Sequence, residues 1–106
     1  MEKVYTGYRN GVVHVDGVAL RPRSHICNHS PTGFSWGYCG SGPAQLALAI
    51  MCEEFGEDLD THPVSYQDFK EAFISKFKQN KPFRFNSSDV RLACRYIGAK
   101  KLSLGA

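Results

Sequence analysis

Residues 28–48 read NHSPTGFSWGYCGSGPAQLAL, and this stretch decides the fold. It divides into an aromatic run that alternates as a strand does, a glycine-rich turn, and a proline that opens an almost wholly apolar helix. Pro43 suits the first helical position, where its missing N–H costs nothing. From there the run Leu46, Ala47, Leu48, Ala49, Ile50, Met51 and Cys52 is apolar all round, which predicts a central, buried helix over residues 44–55. Gly56 supplies a left-handed stop.

Upstream of this stretch the pattern is antiparallel sheet. Asn10-Gly11 between two β-rich runs is a strong two-residue hairpin signal, and Asp16-Gly17 repeats it, so residues 4–20 read as one hairpin system. Pro22 interrupts the ladder. A second hairpin is expected over residues 24–38, with Phe34, Trp36 and Tyr38 on one core-facing side. Downstream, Tyr66, Phe69, Phe73 and Phe77 fall at helical spacing and predict a helix over residues 65–78. Phe83-Arg84-Phe85 adds a short strand. A third helix over residues 88–97 buries Val90, Ala93, Cys94 and Ile97 and stops at Gly98, with the tail as a strand or loose chain. The expected architecture is α+β: an antiparallel sheet packed on a central apolar helix, with two further helices covering it.

The 106 residues suit one domain spanning 1–106, and 42% hydrophobic content is ordinary for a water-soluble globule. No run approaches the roughly 18 apolar residues of a membrane span, and the N-terminus lacks a basic start and apolar run. A cytoplasmic protein with Cys27, Cys39, Cys52 and Cys94 reduced is the expectation. The net charge of +3 conceals segregation. Residues 53–69 carry six acids and no Lys or Arg, whereas residues 70–106 carry nine Lys and Arg against Glu71 and Asp89. Charge runs are usually solvated faces, but Lys76, Lys78, Lys81, Arg84, Arg91 and Arg95 also form a candidate surface for nucleic acid or an acidic partner.

The second candidate site is the helix entry. Gly40-Ser41-Gly42-Pro43 brings free amides and the positive end of the helix dipole to one place, which favours an anion. His29, Trp36, Tyr38, Gly40, Ser41, Gly42 and Gln45 would form that ligand site. Alternatively, Ser41 caps the helix, Gln45 satisfies buried backbone and the aromatics fill the core. Cys39-Gly40-Ser41 is similar to the start of a papain-like nucleophile helix, but no second cysteine or late histidine accompanies it. His25, Cys27 and His29 alternate, so on a strand they would share one face as zinc ligands do, yet they lack a fourth donor and any CxxC spacing. The glycine turn lacks the lysine of a phosphate-binding loop. No catalytic residue, metal or cofactor is therefore assigned.

Asn28-His29-Ser30-Pro31, Gly33-Phe34, Trp36-Gly37-Tyr38 and Gly40 to Ala47 resemble the signature of a family of small bacterial and phage-borne proteins of unknown function. Val13 to Gly17 and Tyr66 to Lys70 are similar to further family segments. Cys39 departs from that pattern, which has glycine there, and this weakens a nucleophilic role. The resemblance implies a group often carried by phages and mobile elements, with no established activity or catalytic residue. The expected function is a small non-enzymatic interaction protein, an inhibitor or modulator of host defence machinery whose partner is a host or phage protein. The alternative is a module binding nucleic acid or an anionic ligand, through the glycine turn or the basic C-terminal third.

Overall fold

The computed structural model describes residues 2–105, the last three as helical backbone only. Four short antiparallel strands form one sheet: β1 (Val4–Gly7), β2 (Val13–Val15), β3 (Val18–Ala19) and β4 (Phe83–Asn86), in the order β3-β2-β1-β4. The helices are α1 (Ser41–Phe55), α2 (Tyr66–Ala72) and α3 (Ser87–Gly105). The expected α+β architecture is observed. Tyr5 pairs with Val15 on one side and Phe85 on the other, so β1 is an interior strand, as is β2. The core holds Tyr5, Val13, Phe85 and Trp36 together with α1, Phe69, Ile74 and the inner face of α3.

The two hairpin signals resolve differently. Asp16 (φ 50°) and Gly17 (φ 82°) both take the left-handed conformation, the tight primed turn that matches strand twist. At Asn10-Gly11 only Gly11 does (φ 88°). The Gly11 amide donates to the Tyr8 carbonyl at 2.9 Å and the Tyr8 amide to the Val12 carbonyl at 2.9 Å, so this turn is one residue longer, with glycine in the bulge position.

The second hairpin expected over residues 24–38 does not form. Residues 21–40 contain no strand. Arg23 (φ 58°), Gly33 (φ 121°) and Gly37 (φ 88°) all turn the backbone away from extended geometry, and the segment finds its hydrogen-bond partners on helices instead of a neighbouring strand. Of the three aromatics expected on one face, Trp36 is buried, Phe34 half-buried and Tyr38 exposed.

The helix boundaries also move. The helix expected over residues 44–55 starts earlier, at Ser41. The helix expected over residues 65–78 is α-helical only to Ala72; Phe73 breaks it (φ −121°, ψ −62°) and a 3-10 turn covers Ile74–Lys76. The Ser75 hydroxyl donates to the Glu71 carbonyl at 2.6 Å, a local bond that competes with regular helix geometry. The aromatic stripe survives the break. Phe73 packs against Phe69, Phe77 and Phe85 with ring centroids 5.0–5.1 Å apart, and Phe83 continues the cluster to Trp36 at 4.7 Å. The third helix, expected over residues 88–97, runs on to Gly105; Gly98 does not stop it and the tail is not a strand. Among the described residues no helix is long and apolar enough to cross a membrane.

Candidate functional site

The helix entry is built inward. Gly40 caps α1 through its backbone, with no side-chain hydrogen bond at the cap, and Ser41 is exposed. Gly42 and Pro43 are buried. A Cβ on Gly42 would lie 1.9 Å from Ser35 Oγ and 3.2 Å from the Ser35 amide nitrogen; one on Gly40 would lie 2.6 Å from the Tyr38 ring. The 35–38 segment thus lies directly across the amides that the sequence offers to an anion.

Gln45, fully buried, reaches back to the same loop. Its Oε1 accepts from the His29 amide at 2.7 Å and the Ser30 amide at 3.0 Å. Its Nε2 donates to the Pro22 carbonyl at 2.6 Å and the Cys27 carbonyl at 3.0 Å. All four hydrogen-bonding positions of the amide are used on backbone. The His29 ring nitrogen Nε2 meets the Tyr66 hydroxyl at 2.6 Å, pinning the loop to α2. Burial, with the Cys27 thiol beside it, raises the Tyr66 hydroxyl above its ordinary pKa.

His25, Cys27 and His29 do not converge. His25 Nε2 sits 2.7 Å from Glu57 Oε1, while His29 is held by Tyr66. Cys39 is exposed and has no hydrogen-bond partner among the described residues. The buried thiols are Cys52 and Cys94; burial raises both, Cys94 to about 11 with help from the Glu54 charge.

Trp36 and Tyr38 do meet at a concave surface, but not at the helix entry. They line a cleft of about 280 Å³ with Arg9, Phe34, Gln79 and Asn80 among others. Two contacts fix its wall. The Trp36 indole donates to the Lys81 carbonyl at 2.9 Å, and the Gly37 amide to the Ile74 carbonyl at 3.1 Å. Gly37 is obligatory there, because a Cβ would lie 2.6 Å from the Gln79 amide nitrogen on a backbone already at φ 88°. Nothing in the sequence places Arg9 or Gln79–Asn80 beside Trp36; the juxtaposition arises from tertiary contact.

The segregated charges resolve asymmetrically. Glu53 is bonded by Lys3 at 2.9 Å and Arg23 at 3.2 Å; its burial works against the charge, but the two cations outweigh it and hold the carboxyl below its ordinary pKa. Glu57 takes His25 and Arg23. Glu54 Oε2 accepts from the Tyr5 hydroxyl at 2.5 Å and the Ser87 hydroxyl at 2.7 Å. Asp68 pairs with Lys101 at 2.7 Å. The acidic run is therefore largely spent inside the molecule. Of the six candidate basic residues, Arg91 pairs with Glu2. Lys76, Lys78, Lys81, Arg84 and Arg95 are exposed and make no ion pair among the described residues. They do not form one patch: Arg91 and Arg95 share a depression with Leu92, Lys76 lines the groove between α2 and α3, and Arg84 lies on β4 opposite Thr6.

Along that groove, Leu92 and Tyr96 are 60% and 61% exposed, one turn apart on α3. With Ala72, Phe73 and Ala93 they line a hollow of about 460 Å³. It adjoins a second of about 520 Å³, bordered by Lys76, Lys100 and Lys101 and by Asp68 and Glu71. A family of unknown function, DUF6166, matches residues 5–96. The chain belongs to this family. No curated protein and no solved structure matches it.

Proposed function

We propose that the chain is a small non-enzymatic interaction protein that seats an acidic, amphipathic segment of a protein partner in the groove between α2 and α3. The supporting observation is the pairing of exposed Leu92 and Tyr96 with Lys76 and Lys100, which line the same groove and carry no ion pair among the described residues. The groove's charged lining is mixed, with Asp68 paired to Lys101 and with Glu71 and Asp89 present. The apolar seam therefore complements a helix whose one face is apolar and whose acids lie toward Lys76 and Lys100. A phosphate backbone would use the cations and leave Leu92 uncovered, which favours a protein. The proposal extends to the origin that the sequence resemblance implies, a phage or mobile-element protein whose partner belongs to host machinery.

The test is a pull-down of tagged protein from host lysate with and without nuclease, read by mass spectrometry, beside Leu92→Ser/Tyr96→Ser and Lys76→Glu/Lys100→Glu variants. A stoichiometric protein that survives nuclease is expected, with its retention lost in both double variants and weakened about tenfold by raised salt. A partner retained equally by both variants, or recovery that collapses with nuclease, would overturn this reading; the latter would favour the nucleic-acid alternative.

A further inference from the structure

The cleft at the end of the β1–β2 hairpin lies outside the α2–α3 groove and requires a separate account. Three segments far apart in sequence close on it: the turn at Arg9–Gly11, the run from Phe34 to Tyr38, and Gln79–Asn80. At about 280 Å³ it is at the small end of ligand sites, which suits one monomer-sized group.

Its walls are held in place. Trp36 is anchored to Lys81, and the Tyr38 hydroxyl meets Ser35 Oγ at 2.7 Å. Asn80 holds a left-handed backbone at φ 62°, and Gly11 one at φ 88°. Arg9, Gln79 and Asn80, by contrast, are exposed, and their side chains make no hydrogen bond among the described residues. A rigid aromatic wall thus faces three polar groups not engaged by the protein.

Each part suits a different piece of one ligand class. Aromatic faces take planar rings. Primary amides present a donor and an acceptor together, the complement of a nucleobase edge. A guanidinium matches a phosphate bidentately. Lys78 and Lys81 bracket the Gln79–Asn80 turn in the sequence and add positive potential on this side. We propose that the cleft is a nucleotide site, in which a base packs on the exposed Tyr38 ring and half-buried Phe34, with buried Trp36 lining the wall beside them, Gln79 and Asn80 at the base edge and Arg9 on the phosphate. The same chemistry comes from a free mononucleotide or from one unpaired unit of a single strand. The proposal does not depend on the α2–α3 groove.

Trp36 is the chain's only tryptophan, so its intrinsic fluorescence reports directly on the cleft. The experiment titrates the protein with AMP, GMP, CMP and UMP, and with single-stranded RNA and DNA hexamers. A saturable change in Trp36 emission is expected with at least one probe, weakened about tenfold by Arg9→Glu. Asn80→Gly keeps the left-handed backbone while removing the amide, and about fivefold weakening is expected there. Leu92→Ser should leave the titration unchanged, which separates this site from the partner groove. Mononucleotides binding as tightly as hexamers would assign the free ligand, and hexamers binding alone would assign the strand. Each outcome supports the site. The absence of saturable change with every probe up to about 5 mM, or binding unaltered in both folded cleft variants, would overturn it.

Discussion

Gln45 is fully buried near the start of α1, the one polar side chain between Gly42 and Cys52, yet it leaves no hydrogen bond unmade. Its amide replaces, for the Pro22–Ser30 loop, the neighbouring strand that the loop lacks. A leucine of similar volume would fill the space and strand two N–H donors and two carbonyls. Each such group costs about 1–3 kcal/mol when left buried and unpaired, with part recovered by water entering the loop. Gln45→Leu is therefore expected to lower stability by about 2–4 kcal/mol, measured by urea denaturation. Gln45→Glu should not rescue it, because a carboxylate supplies no donor to the Pro22 and Cys27 carbonyls. Stability within about 0.5 kcal/mol of wild type would show that the loop holds itself. Gln45 stood out in the sequence as the polar exception among apolar neighbours. Its partners did not, since backbone amides carry no residue-type signal. Trp36 and Tyr38 were likewise visible as candidates, while Arg9, Gln79 and Asn80 were not. Ordinary polar residues in turns acquire a role only when a distant segment folds onto them.

Among the elements, the readable ones have a strong local period or a strong turn signal. Asp16-Gly17, the apolar run of α1 and the Phe69–Phe73–Phe77 stripe were all legible. The hairpin expected over residues 24–38 failed because alternation in Phe34, Trp36 and Tyr38 imitates a strand, whereas Gly33 and Gly37 sit at positive φ and forbid a continuous ladder. At Gly98 the residue that usually ends a helix lies inside α3, where the continuing hydrogen-bond ladder and the Lys101–Asp68 pair outweigh glycine's modest propensity cost. The elements are joined at a polar node. Glu54 on α1 accepts from Tyr5 on β1 and from Ser87 at the start of α3, and the Ser87 hydroxyl in turn accepts the Lys3 amide at 2.8 Å. Glu54→Ala would leave the Tyr5 hydroxyl without this acceptor in a fully buried position. A loss of about 2–4 kcal/mol is expected. Tyr5→Phe on that background should cost less than Tyr5→Phe alone, and the double-mutant cycle should give at least about 1 kcal/mol of coupling. Additive effects would mean that the Tyr5–Glu54 bond does not couple β1 to α1.

For the molecule as a whole, the way charge is spent sets the pH range of stability. The carboxyls of Glu2, Glu53, Glu57 and Asp68 are all held below their ordinary pKa by cationic partners, Glu2 to about 2 by hydrogen bonds from Arg91 and Ser88. A carboxyl whose folded pKa is depressed stabilises the fold above its unfolded pKa and loses that contribution as pH falls toward the folded value. The acid limb should therefore open below about pH 4.5 and deepen toward pH 2, as the unpaired bases of the C-terminal third lose their remaining counter-charges. At the other end the sign reverses. Burial raises Cys94 to about 11, and burial together with the Glu54 hydrogen bond raises Tyr5 further. Groups raised in this way stabilise the fold below their unfolded pKa values, and the contribution falls away as pH rises through about 9 to 11. The expected profile of Tm against pH is a plateau between about 5 and 9 with a fall on each side. Added salt should restore part of the acid limb by screening repulsion among the cations, but little of the alkaline loss, which stems mainly from burial. Replacing Cys94 with alanine should shrink the alkaline limb at the cost of a small cavity, with the acid limb unchanged. If differential scanning fluorimetry instead showed Tm rising steadily toward pH 3, the internal carboxylate pairs would not be stabilising the fold, and the excess of unpaired bases would lose its explanation.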